Sequence, residues 1–143
     1  MRAGLLGLLM TASIVVACGS PDAPPREFVF TPVPYTVLPE EARDQCRAPG
    51  CGEAVSAGES GLKYFADFVI VQVDEARERA FRKWADSYGF DVQHGLTNQV
   101  EGHVVLAVKV PRGSVPDAIR LIEDQPGVIS AEPNSLGEPL AQD

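Results

Sequence analysis

From Leu62 onward apolar and polar positions alternate in patterns that name their own elements. FADFVIVQV (65–73) alternates and is rich in β-branched residues, the pattern of a half-buried strand. Asp74 is a good N-cap, and Ala76, Ala80, Phe81, Trp84, Ala85 and Tyr88 follow at helical spacing until Gly89 supplies a stop. FDVQHGLTN (90–98) reads as a second strand and HVVLAVKV (103–110) as a third. Ser114 to Asp117 is a capping-box variant opening a short helix that carries Val115, Ala118, Ile119 and Ile122 on one face. Pro126-Gly127 ends it, and GVISAEP (127–133) is the last strand. The order β-α-β-β-α-β predicts an α+β fold, a ferredoxin-like sandwich. Its four-stranded antiparallel sheet would carry both helices on one face, as crossover handedness requires. Val69, Val71 and Val73 then face the helices, while Phe68, Ile70 and Gln72 face the other way.

The chain before residue 62 has a different texture. Residues 1–17 combine Arg2 with an uncharged, mostly apolar run ending in Val15-Val16-Ala17-Cys18. That run is shorter than the about 20 residues needed to span a membrane as a helix, and it fits a signal peptide. Its end resembles a lipobox, which implies that Cys18 is lipidated and becomes the mature N-terminus. The alternative is an ordinary signal peptide with a cysteine near the cut. Gly19, rather than Asp, follows the cysteine. The expected place is therefore the cell envelope, on an outer membrane facing the periplasm or the cell surface.

Residues 18–61 form a Pro/Gly-rich arm: seven of the 12 prolines lie between Pro21 and Pro49, which favours extended chain and predicts a spacer. Within it Phe28, Phe30 and Tyr35 are free to dock on the domain or on a partner. Cys46 and Cys51 are an even pair once Cys18 is used, and in an oxidising compartment they predict a disulfide. The alternative is half of a metal site. Residues 62–143 are then the folded domain.

Charge and chemistry narrow the function classes. The net charge is −8, and losing the leader with Arg2 makes it −9, which disfavours nucleic acid as a partner. His94 and His103 fall on neighbouring predicted strands, but no Cys or carboxylate stands beside them at ligand spacing. No nucleophile motif such as G-x-S-x-G occurs. No catalytic residue, metal or cofactor is expected, and the chain reads as a binding protein, a monomer, rather than an enzyme.

The segment LIEDQPGVISAEPN (121–134), with FVIVQV (68–73) and the element order between them, resembles the propeptide domain of subtilisin-like serine proteases. The matching residues are Phe68 to Val73, Leu121, Pro126, Val128, Glu132, Pro133 and Asn134, with Ala131 where that family often has Val. The resemblance implies an inhibitor or folding helper of a subtilisin-like protease, whose helices would pack on the helix-free face of the sheet. Phe68, Ile70 and Val105 would lie in that contact, and Glu132 would cap enzyme helix N-termini, where a carboxylate is favoured. It also implies that the C-terminal tail lies in the substrate cleft. Gly137, Glu138, Pro139 and Leu140 would occupy successive subsites, with Leu140 in the primary pocket, although a register ending at Asp143 is open. The sequence ends at Asp143 without a protease domain, so the expected action is in trans. Two other readings stand beside it: an envelope structural or assembly lipoprotein, and an ACT-like small-molecule sensor.

Overall fold

The computed structural model describes residues 28–93 and 101–136. The predicted leader, Cys18, His94 and the tail residues Gly137 to Leu140 lie outside the described residues. The elements run β1 (Thr36–Val37), α1 (Glu40–Gln45), β2 (Ala54–Ala57), β3 (Lys63–Asp74), α2 (Glu78–Ser87), β4 (Asp91–Gln93), β5 (His103–Lys109), α3 (Val115–Glu123) and β6 (Val128–Ser135). They form a mixed architecture of three helices and one antiparallel sheet of six strands, rather than the expected four. The reason lies in β3. At 12 residues it is long enough to pair β5 along its second half (68–74) and β2 along its first (63–65), while β6 runs on its opposite edge. β1 extends the sheet beyond β2, and β4 extends it beyond β5. The segment before residue 62 therefore contributes two strands to the same sheet, with α1 between them.

The faces of β3 divide as its alternation predicts. Val69, Val71 and Val73 are wholly buried with Leu106 and Val108 of β5, Ala131 of β6, Phe81 and Ala85 of α2, and Val115, Ala118 and Ile122 of α3. This is the main core, and it places α2 and α3 on one side of the sheet. A register irregularity between Tyr64 and Val69 shifts the alternation, so that Tyr64 joins this core while Phe65 and Phe68 both point to the other side.

Local chemistry explains the helix ends. Asp74 Oδ1 accepts from the Ala76 N–H at 2.9 Å, capping a short 3₁₀ turn (75–77) that leads into α2. Gly89, at φ +73°, closes the far end in a left-handed conformation costly for other residues. The expected capping box at α3 does not form. Residues 111–114 make a turn with the Ser114 N–H donating to Pro111 O, leaving Ser114 at ψ 4° instead of extended. Its hydroxyl donates to Pro111 O at 2.5 Å. Asp117 instead accepts the Thr31 N–H at 2.7 Å, tying the N-terminal segment to α3.

The stripe of α2 is narrower than predicted: Phe81 and Ala85 are buried, but Ala76 and Ala80 are exposed and Trp84 and Tyr88 only half-buried. Trp84 leans on Phe81, Tyr88 and Phe90 with centroids 5.1–6.2 Å away, and Phe30 of the N-terminal segment joins the cluster through Phe90 at 6.0 Å. Because Trp84 keeps one side in solvent, Trp84→Ala is expected to cost about 2–3 kcal/mol, less than full burial of an indole would imply. Urea unfolding followed by circular dichroism measures this, and a loss under ~1 kcal/mol would mean the ring only decorates the helix.

Candidate functional site

The face of the sheet opposite α2 and α3 is where the sequence-predicted contact residues Phe68, Ile70, Val105 and Glu132 converge. It is the helix-free face of the sequence reading, although α1 falls between Leu38 and the Cys46–Cys51 loop, which both sit on it. Cross-strand partners share a face, and the pairings Glu132–Ile70, Ile70–Ala107 and Ala107–Gln93 set four residues in one row across β6, β3, β5 and β4. The next row is Ser130–Gln72–Val105, and Phe68 opposite Lys109 forms the row on the other side. Phe68, Ile70, Val105 and Glu132 are thus brought onto a single face. Glu132 is exposed there, while Ile70, Gln72 and Val105 are half-buried. His103 is on this face too, its Nδ1 at 3.0 Å from Gln72 Nε2. His94, on the neighbouring predicted strand, lies outside the described residues.

Phe68 differs from its neighbours. It is 2% exposed, and what covers it is the chain's own earlier segment. Phe65, Phe68 and Ala107 form a second buried cluster, against which Leu38, Val55 and Ile70 pack. Cys46 and Cys51 are bridged, with Cα atoms 5.7 Å apart, as the cysteine count predicts. Their loop rests on the face through Gly50. The Gly50 N–H donates to Gln93 Oε1 of β4 at 3.3 Å, and Gly50 O accepts from Asn134 Nδ2 of β6 at 2.7 Å. Gly50 has φ +87°, and a Cβ there would lie 3.0 Å from Asn134 Nδ2, 3.4 Å from Ala107 Cβ and 3.5 Å from Ile70 Cδ1.

A second anchor follows immediately. Asp67 is fully buried, and both of its carboxylate oxygens accept from the Glu53 N–H, at 3.2 and 3.1 Å. The Glu53 side chain pairs with Arg112 at the surface. Hydrogen bonding to Arg112, helped by the charge of Lys109, holds the Glu53 carboxyl below its ordinary value of 4.5. Folding therefore favours the ionised form, so the pair's support is present above that ordinary value and is lost as acid protonates Glu53 in the folded state. It is a solvent-exposed pair, and its contribution is small.

Sequence reading missed Gln93, Asn134, Gly50 and Asp67 as members of this face. The signal available for the last was a lone carboxylate inside the apolar run FADFVIV, which needs a buried donor. Among the described residues no group of three or more His, Cys, Asp or Glu is placed to hold a metal ion, and no helix is long and apolar enough to cross a membrane.

The sheet carries α2 and α3 on one side and the row of Glu132, Ile70, Ala107 and Gln93 on the other. Residues 52–134, which are 83 of the 143, match the family model of the fervidolysin N-terminal prodomain. The chain belongs to this prodomain-like family, and the propeptide resemblance of its sequence is thereby shown. No curated protein and no solved structure is significantly similar to it.

Proposed function

We propose that this chain binds a subtilisin-like serine protease in trans, as an inhibitor or folding helper, while a lipid on Cys18 tethers it to the cell envelope. The β-α-β-β-α-β portion, with strands in the order β6-β3-β5-β4, is read as a ferredoxin-like core enlarged by β1, β2 and α1. The observation that carries the functional reading is the convergence of Ile70, Val105 and exposed Glu132 on the helix-free face of a prodomain-family fold. In this reading Glu132 offers its carboxylate to helix N-termini of the protease, where exposed N–H groups and the helix dipole favour an anion. The tail from Gly137 to Leu140 enters the substrate cleft, and Pro139 limits the entropy lost on ordering it.

The test is inhibition of a panel of purified subtilisin-like proteases. Glu132 has no side-chain partner among the described residues, so Glu132→Lys is expected to weaken inhibition at least tenfold, about 1.4 kcal/mol, with an unchanged melting temperature. Removing residues 139–143 is expected to weaken it by a similar factor. Full potency in both variants would remove the face and the tail from the contact. Mass spectrometry of membrane-extracted protein tests the anchor: an unmodified Cys18 in mature protein would refute it.

A further inference from the structure

The proposed docking face is partly occupied already, and the occupant is held by a bond that chemistry can break. Within the loop 46–51 the exposed residues are Cys46 to Pro49, Cys51 is half-buried, and Gly50 alone is buried. Gly50 is pinned on both sides, by Gln93 on β4 and Asn134 on β6, directly above Ile70 and Ala107. The cross-link confines these six residues to a closed ring, so Gly50 is presented to the sheet in a left-handed conformation that an open chain would hold only part of the time. Cys46 is exposed, so a reductant can reach the bridge.

We propose that the Cys46–Cys51 loop is a redox latch on the helix-free face: closed, it covers Ala107 and Ile70, and reduction by a dithiol frees them for the protease that docks there. The proposal rests on the docking face described above and adds its regulation. In the opening step a thiolate of the dithiol attacks one sulfur of the bridge and the other leaves as a thiolate. The reductant's second thiol then resolves the mixed disulfide, leaving Cys46 and Cys51 as thiols and the dithiol oxidised. With the ring open, the two hydrogen bonds of Gly50 must compete with chain entropy. Ile70 and Ala107 then join Val105 in one apolar surface beside Glu132.

The test compares four forms of the chain: oxidised, reduced with dithiothreitol, Cys46→Ser/Cys51→Ser, and Gly50→Val with the bridge intact. Gly50→Val puts a β-branched residue at φ +87°, with its Cβ 3.0 Å from Asn134 Nδ2 and its methyl groups against Ala107 and Ile70, and so strains and lifts the loop without reduction. Two measurements are made on each. The first is fluorescence of the apolar dye ANS, with Trp84 emission reporting on the opposite, helix-bearing side of the sheet. The second is the inhibition constant against whichever panel protease the oxidised or reduced protein inhibits. Expected are a severalfold rise in ANS fluorescence with unchanged Trp84 emission in the last three forms, and inhibition about tenfold tighter. Unchanged ANS and inhibition would overturn the latch, as would inhibition that weakens on opening, which would make the loop part of the contact. A Trp84 shift in both the reduced and the Ser/Ser forms would also overturn it, because the bridge would then be a staple for the whole fold. If no form inhibits any protease, the protease reading fails, and the dye measurement still decides whether the loop opens.

Discussion

Gly52→Ala is expected to destabilise the protein by about 2–4 kcal/mol, because one methyl group meets two immovable neighbours at once. Its Cβ would stand 2.1 Å from Asp67 Oδ1 and 2.8 Å from Phe65 Cβ, separations no real contact tolerates. Neither neighbour can retreat cheaply. Phe65 is 7% exposed inside the second cluster, and the contact is with the root of its side chain rather than its tip. Asp67 has no exposed surface, and its carboxylate is the acceptor for the Glu53 N–H. Moving that carboxylate would leave a buried polar group without its donor, so relieving the overlap carries a cost of its own. Gly52 does not have a positive φ, so the effect is steric and not conformational. A double-mutant cycle with Asp67→Ala separates the two: Gly52→Ala should cost at least 1 kcal/mol less once the carboxylate is gone. Equal costs in both backgrounds, measured by urea unfolding, would mean that Asp67 is not what excludes the side chain.

The same region shows where sequence reading reaches and where it stops. Val69, Val71 and Val73, the stripe Phe81–Ala85 and the stop at Gly89 were legible because each is a local pattern: period two, period 3.6, and a left-handed terminator. The shared face of Ile70 and Val105 was legible too, once the strand order was assumed, because register follows from alternation, whereas Glu132 came to it only through the propeptide resemblance. The irregularity at residues 65–68 was not legible. FADF continues the apolar run of β3, and nothing in it announces that Phe65 and Phe68 point to the same side. β1 and β2 were hidden for another reason. A two-residue strand and Ala-Val-Ser-Ala carry almost no periodic signal, and the surrounding prolines read as an extended spacer. The fit of this segment to the sheet is written in small residues, Ala54, Ser56, Gly50 and Gly52, whose meaning is close approach. Close approach becomes visible only when the partner surface is known.

Phe68→Ala is expected to cost about 3–4 kcal/mol in the oxidised protein, the loss for a large side chain removed from a closed cluster. On a bare sheet face the same substitution would cost roughly 1 kcal/mol, since much of the ring would already be in water. Phe68, 2% exposed, packs with Phe65, Ala107, Leu38, Val55 and Ile70, and the loop seated through Gly50 lies in turn on Ala107 and Ile70. Leu38, Val55 and that loop all come from the segment before β3. The substitution therefore measures how firmly that segment covers the face, independently of any protease. If opening the bridge uncovers Phe68, part of its burial is lost in the reduced protein, and Phe68→Ala should then cost about 1–2 kcal/mol less there than in the oxidised one. Urea unfolding of wild type and variant, each with and without dithiothreitol, closes this cycle. The difference isolates the coupling between the bridge and the buried ring, because the direct effect of the disulfide on the unfolded chain is common to both proteins and cancels. An identical cost in the two redox states would mean that Leu38 and Val55 hold Phe68 unaided, and the loop would be an ornament on a face already closed.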